Sequence, residues 1–447
     1  MPAALVIYLA MIVTMPFSIF EVWDSVATFQ INRRVRAMRQ AGEPTSLAEL
    51  AAAYPEPPEG QNAAPILQKA FDLMEKIGDD GNHPLLPIAG NAKLPAIDQP
   101  IPPAMRGASQ AYLTDHAEVL ELLHQAAEKE GCKFPINFED GIGMQLPHLS
   151  KISSATRLLA LEAIERTEEG KAAEAADSLV AALRLGHALA RESVLISGLV
   201  RVACDSIAAR QVERWASQSK PSPEALERVE AALQDEADPT LMHKVIVAER
   251  CFGMDMYRTY ALDPKKRGEL GALGVPDTLF LRVVPRAYFK SDLVAYIDLM
   301  SGYAATARLP YPQSLIRAGA VGKTIEQRIP RYFIIARMLL PVLGRVFIEG
   351  QRHMARLDSA RVGLTVLRYR AQKGKLPDTL DALAPDFVKA VPVDPFNGKP
   401  LLYRTTPQGF TVYSLGENGK DDGGQTERVG GRLVDVGFRV LWPKARF

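Results

Sequence analysis

Cysteine is scarce: Cys132, Cys204 and Cys251 are the only three in 447 residues, with no CxxC pair and no Cys/His ligand spacing. An odd count in that pattern signals neither a disulfide framework nor a zinc site, and leaves the thiols as small apolar packing groups. A charge excess is also missing. Lys plus Arg number 53 against 52 Asp plus Glu, so no global field draws the chain to nucleic acid.

Catalytic patterns are equally thin. "HALARE" holds His187 and Glu192, but a zinc helix needs a second histidine four residues from the first. "RAGAVGKT" (317–324) ends like a phosphate loop, yet Arg317 stands where the first glycine is required, so no nucleotide is expected. Neither GxSxG nor a cysteine with a fixed histidine partner is present to make a nucleophile. An enzyme would need acids that converge only in three dimensions, for example a hydrolase site around Glu139, Asp140 and His148.

One long apolar run is present. Ala3 to Phe20, "AALVIYLAMIVTMPFSIF", carries no charge and as a helix would extend about 27 Å, close to a hydrocarbon core. The run is expected to anchor the chain in a membrane, with cleavage near the small-x-small site Ser25-Val26-Ala27 and a buried helix of a soluble body as the alternatives. The chain is accordingly expected at a membrane through its N-terminal helix, with its bulk extracytoplasmic, in the periplasm. Residues 1–23 form this segment, 24–63 a proline-bearing linker around one short helix capped by Thr45 or Ser46, 64–349 an α-helical body, and 350–447 a C-terminal α+β domain.

Within the body, residues 64–77 and 107–130 have helical apolar periodicity, and the Pro/Gly-rich stretch 81–106 between them is expected as an extended surface loop. Ile152, Ala155, Leu158, Leu159 and Ile164 trace one apolar face, Gly170 breaks the helix, and Ala175, Leu179, Ala182, Leu183 and Leu185 trace the next. A long helix follows at about 192–216, and Ser222-Pro223 starts another. "EEGKAAEAADSLVAALRL" (168–185) loosely resembles the turn and second helix of a tetratricopeptide unit, through Gly170, Glu174-Ala175, Ala182-Leu183 and Leu185. No copy follows at a spacing of 34, so a generic helical hairpin remains open. Stacked helix pairs can offer a concave face to a protein or peptide partner.

The last hundred residues change character. A helix through 357–374 ends at Gly374, and Tyr403, Phe410, Val412 and Tyr413 have the bias of a small antiparallel sheet, with period-two alternation at Val434, Val436 and Phe438. Three phrases, "GKLPDTLDAL", "VPVDPFNGKPLLYR" and "YSLGENGKDDGG" followed by an Asp-containing strand, recur here in the order found in the globular head of the type II secretion major pseudopilins, which this part resembles. The resemblance covers about 90 residues. It implies calcium (Ca2+) at the loop, with the carbonyl of Leu415, Asn418 where that family has aspartate, and Asp421, Asp422 and Asp435 as the later acids. Glycine-rich backbone and hard oxygens suit calcium, although Asn418-Gly419 is also a common turn pair. The expected fold class is mainly α, a helical-hairpin body with a small C-terminal α+β, pseudopilin-head-like domain. The expected role is scaffolding or partner binding, with a secretion-apparatus component as an alternative.

Overall fold

In the computed structural model the chain is described over residues 2–78, 83–236, 240–275, 279–426 and 434–442, with the side chains of 2–17, 235, 236, 324–326, 328 and 339–342 outside that description. The chain begins with α1 (Pro2–Gln40), α2 (Leu47–Ala52), α3 (Ala64–Ile77), α4 (Pro103–Asp115), α5 (Ala117–Ala127), α6 (His148–Glu168), α7 (Ala172–His187) and α8 (Leu195–Gln218). It continues through α9 (Pro223–Glu236), α10 (Leu241–Met256), α11 (Leu279–Val283), α12 (Arg286–Ala307), α13 (Gln313–Arg328) and α14 (Ile334–Lys373) to the strands β1 (Leu402–Thr406), β2 (Gly409–Ser414) and β3 (Val436–Leu441). The fold is mainly helical with a small three-stranded antiparallel sheet of order β1-β2-β3 near its end.

Local signals place several boundaries. Ser46 accepts the amide of Glu49 at the start of α2, while Glu49 reaches back to the Thr45 amide, a reciprocal cap. Gly170 at φ 76 turns α6 into α7, Ser222 accepts the amide of Ala225 to begin α9, and Gly374 at φ 77 stops α14. The helix expected over 107–130 is broken at His116, whose ring nitrogen Nδ1 lies 2.8 Å from the Tyr112 carbonyl and competes for the backbone there.

Two hydrophobic clusters organise these elements. The larger joins α3, α5, α6, α7, α8 and α9 to the second half of α14 and to the inner face of the sheet through Phe410, Val412, Phe438 and Val440. Trp215 is fully buried there and donates its indole N–H to the Ala172 carbonyl at 2.9 Å. Gly363 of α14 makes room for the sheet, since a Cβ there would lie 2.2 Å from the Phe438 ring. The second cluster gathers α10, α12 and the first turns of α14, with Met38 of α1 against them. The expected boundary near residue 350 therefore falls inside α14, and the larger cluster is continuous with the sheet.

The stretch 83–102 is not free surface chain. Arg214 of α8 donates to the carbonyls of Pro95, Ala96 and Gln99, and Gln218 donates to those of Ile97 and Gln99, so an irregular backbone is satisfied by long polar side chains.

The expected membrane anchor, and with it the membrane partner and the extracytoplasmic, periplasmic placement, is corrected. Among the described residues no helix is long and apolar enough to cross a membrane. Helix α1 runs without a break past the apolar run and into residues 24–40, expected as linker, where Asp24, Arg33, Arg34, Arg36 and Arg39 make it polar. That half is docked on α12: Trp23 donates to Ser291 at 2.8 Å, Lys290 pairs with Asp24, and Arg34 holds both oxygens of Asp298 at 2.6 Å. The side chains of residues 3–17 of the run lie outside the description.

A buried carboxylate begins α14. Asp292 of α12 is fully buried and accepts the Ile335 and Ala336 amides, each at 3.2 Å, two of the donors a helix N-terminus leaves without partners. Burial pushes its carboxyl up to about 6, against the lowering by those amides and by Tyr257. A raised carboxyl holds its proton more tightly when folded, so its contribution is full below the unfolded value near 3.8 and is lost as pH rises through about 6. Asp292→Asn should therefore compare worst with the wild type near pH 4, and the gap should shrink by on the order of 3 kcal/mol by pH 7.5 in urea titrations. A pH-independent gap would remove Asp292 as a titrating group.

Candidate functional site

Two buried carboxylates shape the loop that follows β2. Asp394, 2% exposed, lies in the "VPVDPFNGKP" turn and accepts the amide of Phe396 (2.8 Å), Asn397 Nδ2 (3.0 Å), Ser414 Oγ (2.8 Å) and the amide of Leu415 (3.0 Å). It ties that turn to the end of β2. Ser414 Oγ then accepts the Gly416 amide at 3.0 Å. Gly416 has φ 63, and a Cβ there would sit 3.0 Å from the Val434 carbonyl, so close approach and backbone sign both call for glycine.

Asp435, also 2% exposed, closes the loop from the entrance to β3. Its Oδ2 accepts the amides of Asp422 (3.1 Å) and Gly424 (2.8 Å). Its Oδ1 is buried without a hydrogen-bond partner among the described residues. Burial raises the Asp435 carboxyl above the usual range, and the charges of Asp422 and Asp421 add to that rise against the lowering by the two amides.

The structure thus brings Asp421, Asp422 and Asp435 into electrostatic reach of one another. Asp421 Oδ1 accepts from the Tyr413 hydroxyl (3.1 Å) and the Gly423 amide (2.8 Å), and Asp422 Oδ2 accepts from Asn418 Nδ2 (2.7 Å). Asn418 uses its own oxygen on the Lys420 amide at 2.9 Å, and Leu415 is fixed through its N–H to Asp394. Among the described residues no group of three or more His, Cys, Asp or Glu side chains is close enough to hold a metal ion, and residues 427–433 of the same loop lie outside the description.

The convergent acids weighed for an enzyme do not meet. Glu139 and Asp140 are exposed on a short 3-10 turn, whereas His148 is buried, stacked on Phe134 with centroids 4.2 Å apart. His148 Nε2 lies 2.9 Å from Glu192 Oε1, and Ser197 donates to the other oxygen of Glu192 at 2.7 Å. Glu192 therefore belongs with His148, not with His187 of its own segment. Residues 317–324 lie within α13, whose helical backbone leaves no phosphate cradle.

Compared with family models, with curated proteins and with solved structures, the chain matches none.

Two features escaped sequence reasoning. Asp394 carried a signal, because Asp-Pro-Phe-Asn-Gly is turn chemistry in which an aspartate binds the amide two residues on. Arg210 and Arg214 of α8, Arg352 and Arg356 of α14 and Arg439 of β3 line one cavity, and nothing local in the sequence relates them. For the loop, Asp394→Ala should cost roughly 3 kcal/mol, since several donors lose a charged acceptor together. Denaturant unfolding of the full chain checks this, and a cost below about 1 kcal/mol would mean the loop holds its shape without Asp394.

Proposed function

We propose that the protein is a scaffolding or partner-binding protein rather than an enzyme, with a C-terminal part built like a pseudopilin head. The observation that carries this reading is an apolar face of α1 left exposed among the described residues. Ile19, Val22, Val26 and Phe29 recur at helical spacing and are 56%, 64%, 48% and 64% exposed, while the other side of the same helix is docked on α12. A stripe of large apolar side chains held out from a packed body favours a partner that covers it, and helical spacing favours a helix of another protein as that partner. A photo-crosslinking amino acid at Val22, introduced into the full chain in its native cell, should give one discrete adduct that is lost in Val26→Asp. A diffuse ladder unaffected by Val26→Asp would overturn the reading.

The loop is proposed to take a structural calcium ion. The donor chemistry suits calcium, because Asp421, Asp422 and Asp435 supply hard oxygens and Asp435 Oδ1 is buried without a hydrogen-bond partner among the described residues, and binding would have to draw the three side chains closer than they now stand. Binding would exchange the Tyr413–Asp421 and Asn418–Asp422 hydrogen bonds for metal bonds. When bound, the ion would neutralise the carboxylates and fasten the loop to β3; its role is structural. Stabilisation follows RT ln(1 + [L]/Kd), about 2.7 kcal/mol at a hundredfold excess over Kd. The larger cluster is shared between the sheet and the helices, so the full chain is the material for the test. Its melting transition should rise with calcium, less with magnesium, and not at all in Asp435→Asn. Superimposable melts of the wild type in calcium and in chelator would remove the ion.

A further inference from the structure

Beside the loop lies a cavity of about 770 Å³ walled by α8, α14, β3 and the pinned stretch 88–97. Arg210, Arg214, Arg352, Arg356 and Arg439 line it against two acids, Glu213 and Asp435. Arg214 is occupied by the carbonyls of Pro95, Ala96 and Gln99, and Arg352 by Glu349 and Glu417, although its Nε is buried with no hydrogen-bond partner among the described residues. Arg356 donates to a neutral group, Ser206 Oγ, at 2.6 Å. Burial and then the charges of Arg210 and Arg352 push its guanidinium down, against the opposing charges of Glu213 and Glu349. Arg210 is exposed, and among the described residues no hydrogen bond or ion pair holds it.

Glu213 does little to balance this charge. It accepts the Arg439 amide at 3.0 Å, and burial pushes it up to about 7, so near neutrality it is only partly ionised. Like charges held together at the wall of a concave site repel, and a bound anion relieves them. Guanidinium groups arriving from three elements match an oxyanion with oxygens on several sides better than a planar carboxylate, which offers two. The 88–97 stretch adds Ile88, Leu94 and Ile97 to the lining, together with the exposed Lys93.

We propose that this cavity binds a small organic phosphate, its phosphate group held by Arg210, Arg356 and Arg439 and its organic part laid against Ile88, Leu94 and Ile97. The proposal requires neither calcium at the loop nor a partner on α1. A half-open cavity of this size and a chain of net charge +1 fit a small molecule rather than a nucleic acid.

Isothermal titration of the full chain in low salt and chelator, with phenyl phosphate, inorganic phosphate and benzoate as probes, tests it. Phenyl phosphate should bind saturably at one site, inorganic phosphate more weakly, and benzoate weakest. Arg210→Gln, an exposed change that leaves the fold intact, should weaken phenyl phosphate about tenfold, and Arg356→Gln at least as much. Glu213→Gln keeps an oxygen for the Arg439 amide and removes a negative charge, so it should tighten binding. Absence of saturable binding in the wild type, benzoate binding as tight as phenyl phosphate, or equal affinity in Arg210→Gln would each overturn the proposal.

Discussion

Helix α14 is the constraint to which the rest of the molecule is fitted. Its 40 residues extend about 60 Å, and it passes from one core cluster to the other. Ile335, Ala336 and Phe347 lie in the cluster of α10 and α12, while Leu357, Leu364 and Val366 lie in the cluster of the hairpins and the sheet. Along the second of these stretches its polar face is clamped on α9, where Arg368 pairs with Glu227 and Glu230 and Thr365 donates to Glu230. A helix this long needs its start defined from outside, and the Asp292 carboxylate does that from α12. The C-terminal end is defined locally, by the left-handed glycine at 374.

Much of the helical architecture was legible because its signals are short-range. The α6–α7 hairpin follows from an apolar stripe and Gly170, the start of α9 from Ser222-Pro223, and the strands from alternation around Phe410, Val412 and Phe438. What escaped depends on partners distant in sequence. The 83–102 stretch has the composition of a loose loop, yet Arg214 and Gln218 reach it from more than a hundred residues away. The second half of α1 read as linker because its arginines look solvated until α12 supplies Asp298.

The candidate site divides in the same manner. Glycines and acids within twelve residues announced the loop, and Asp435 was placed with it across the start of β3. Asp394, which holds the loop's first turn, sits twenty residues earlier and was read only as part of a phrase. The arginine-lined cavity had no linear signature at all, because arginines four residues apart on α8 and α14 look like ordinary polar faces until two helices and a strand bring them together.

Asp435 stands at two places at once, with its carboxylate closing the glycine-rich loop and lining the arginine cavity, while Arg352 spans the same gap by pairing with Glu417 of the loop. Charge neutralised on one side would therefore be sensed on the other. Thermodynamic linkage makes such an arrangement reciprocal: whatever factor a cation at the loop applies to an anion's affinity for the cavity, the anion applies equally to the cation.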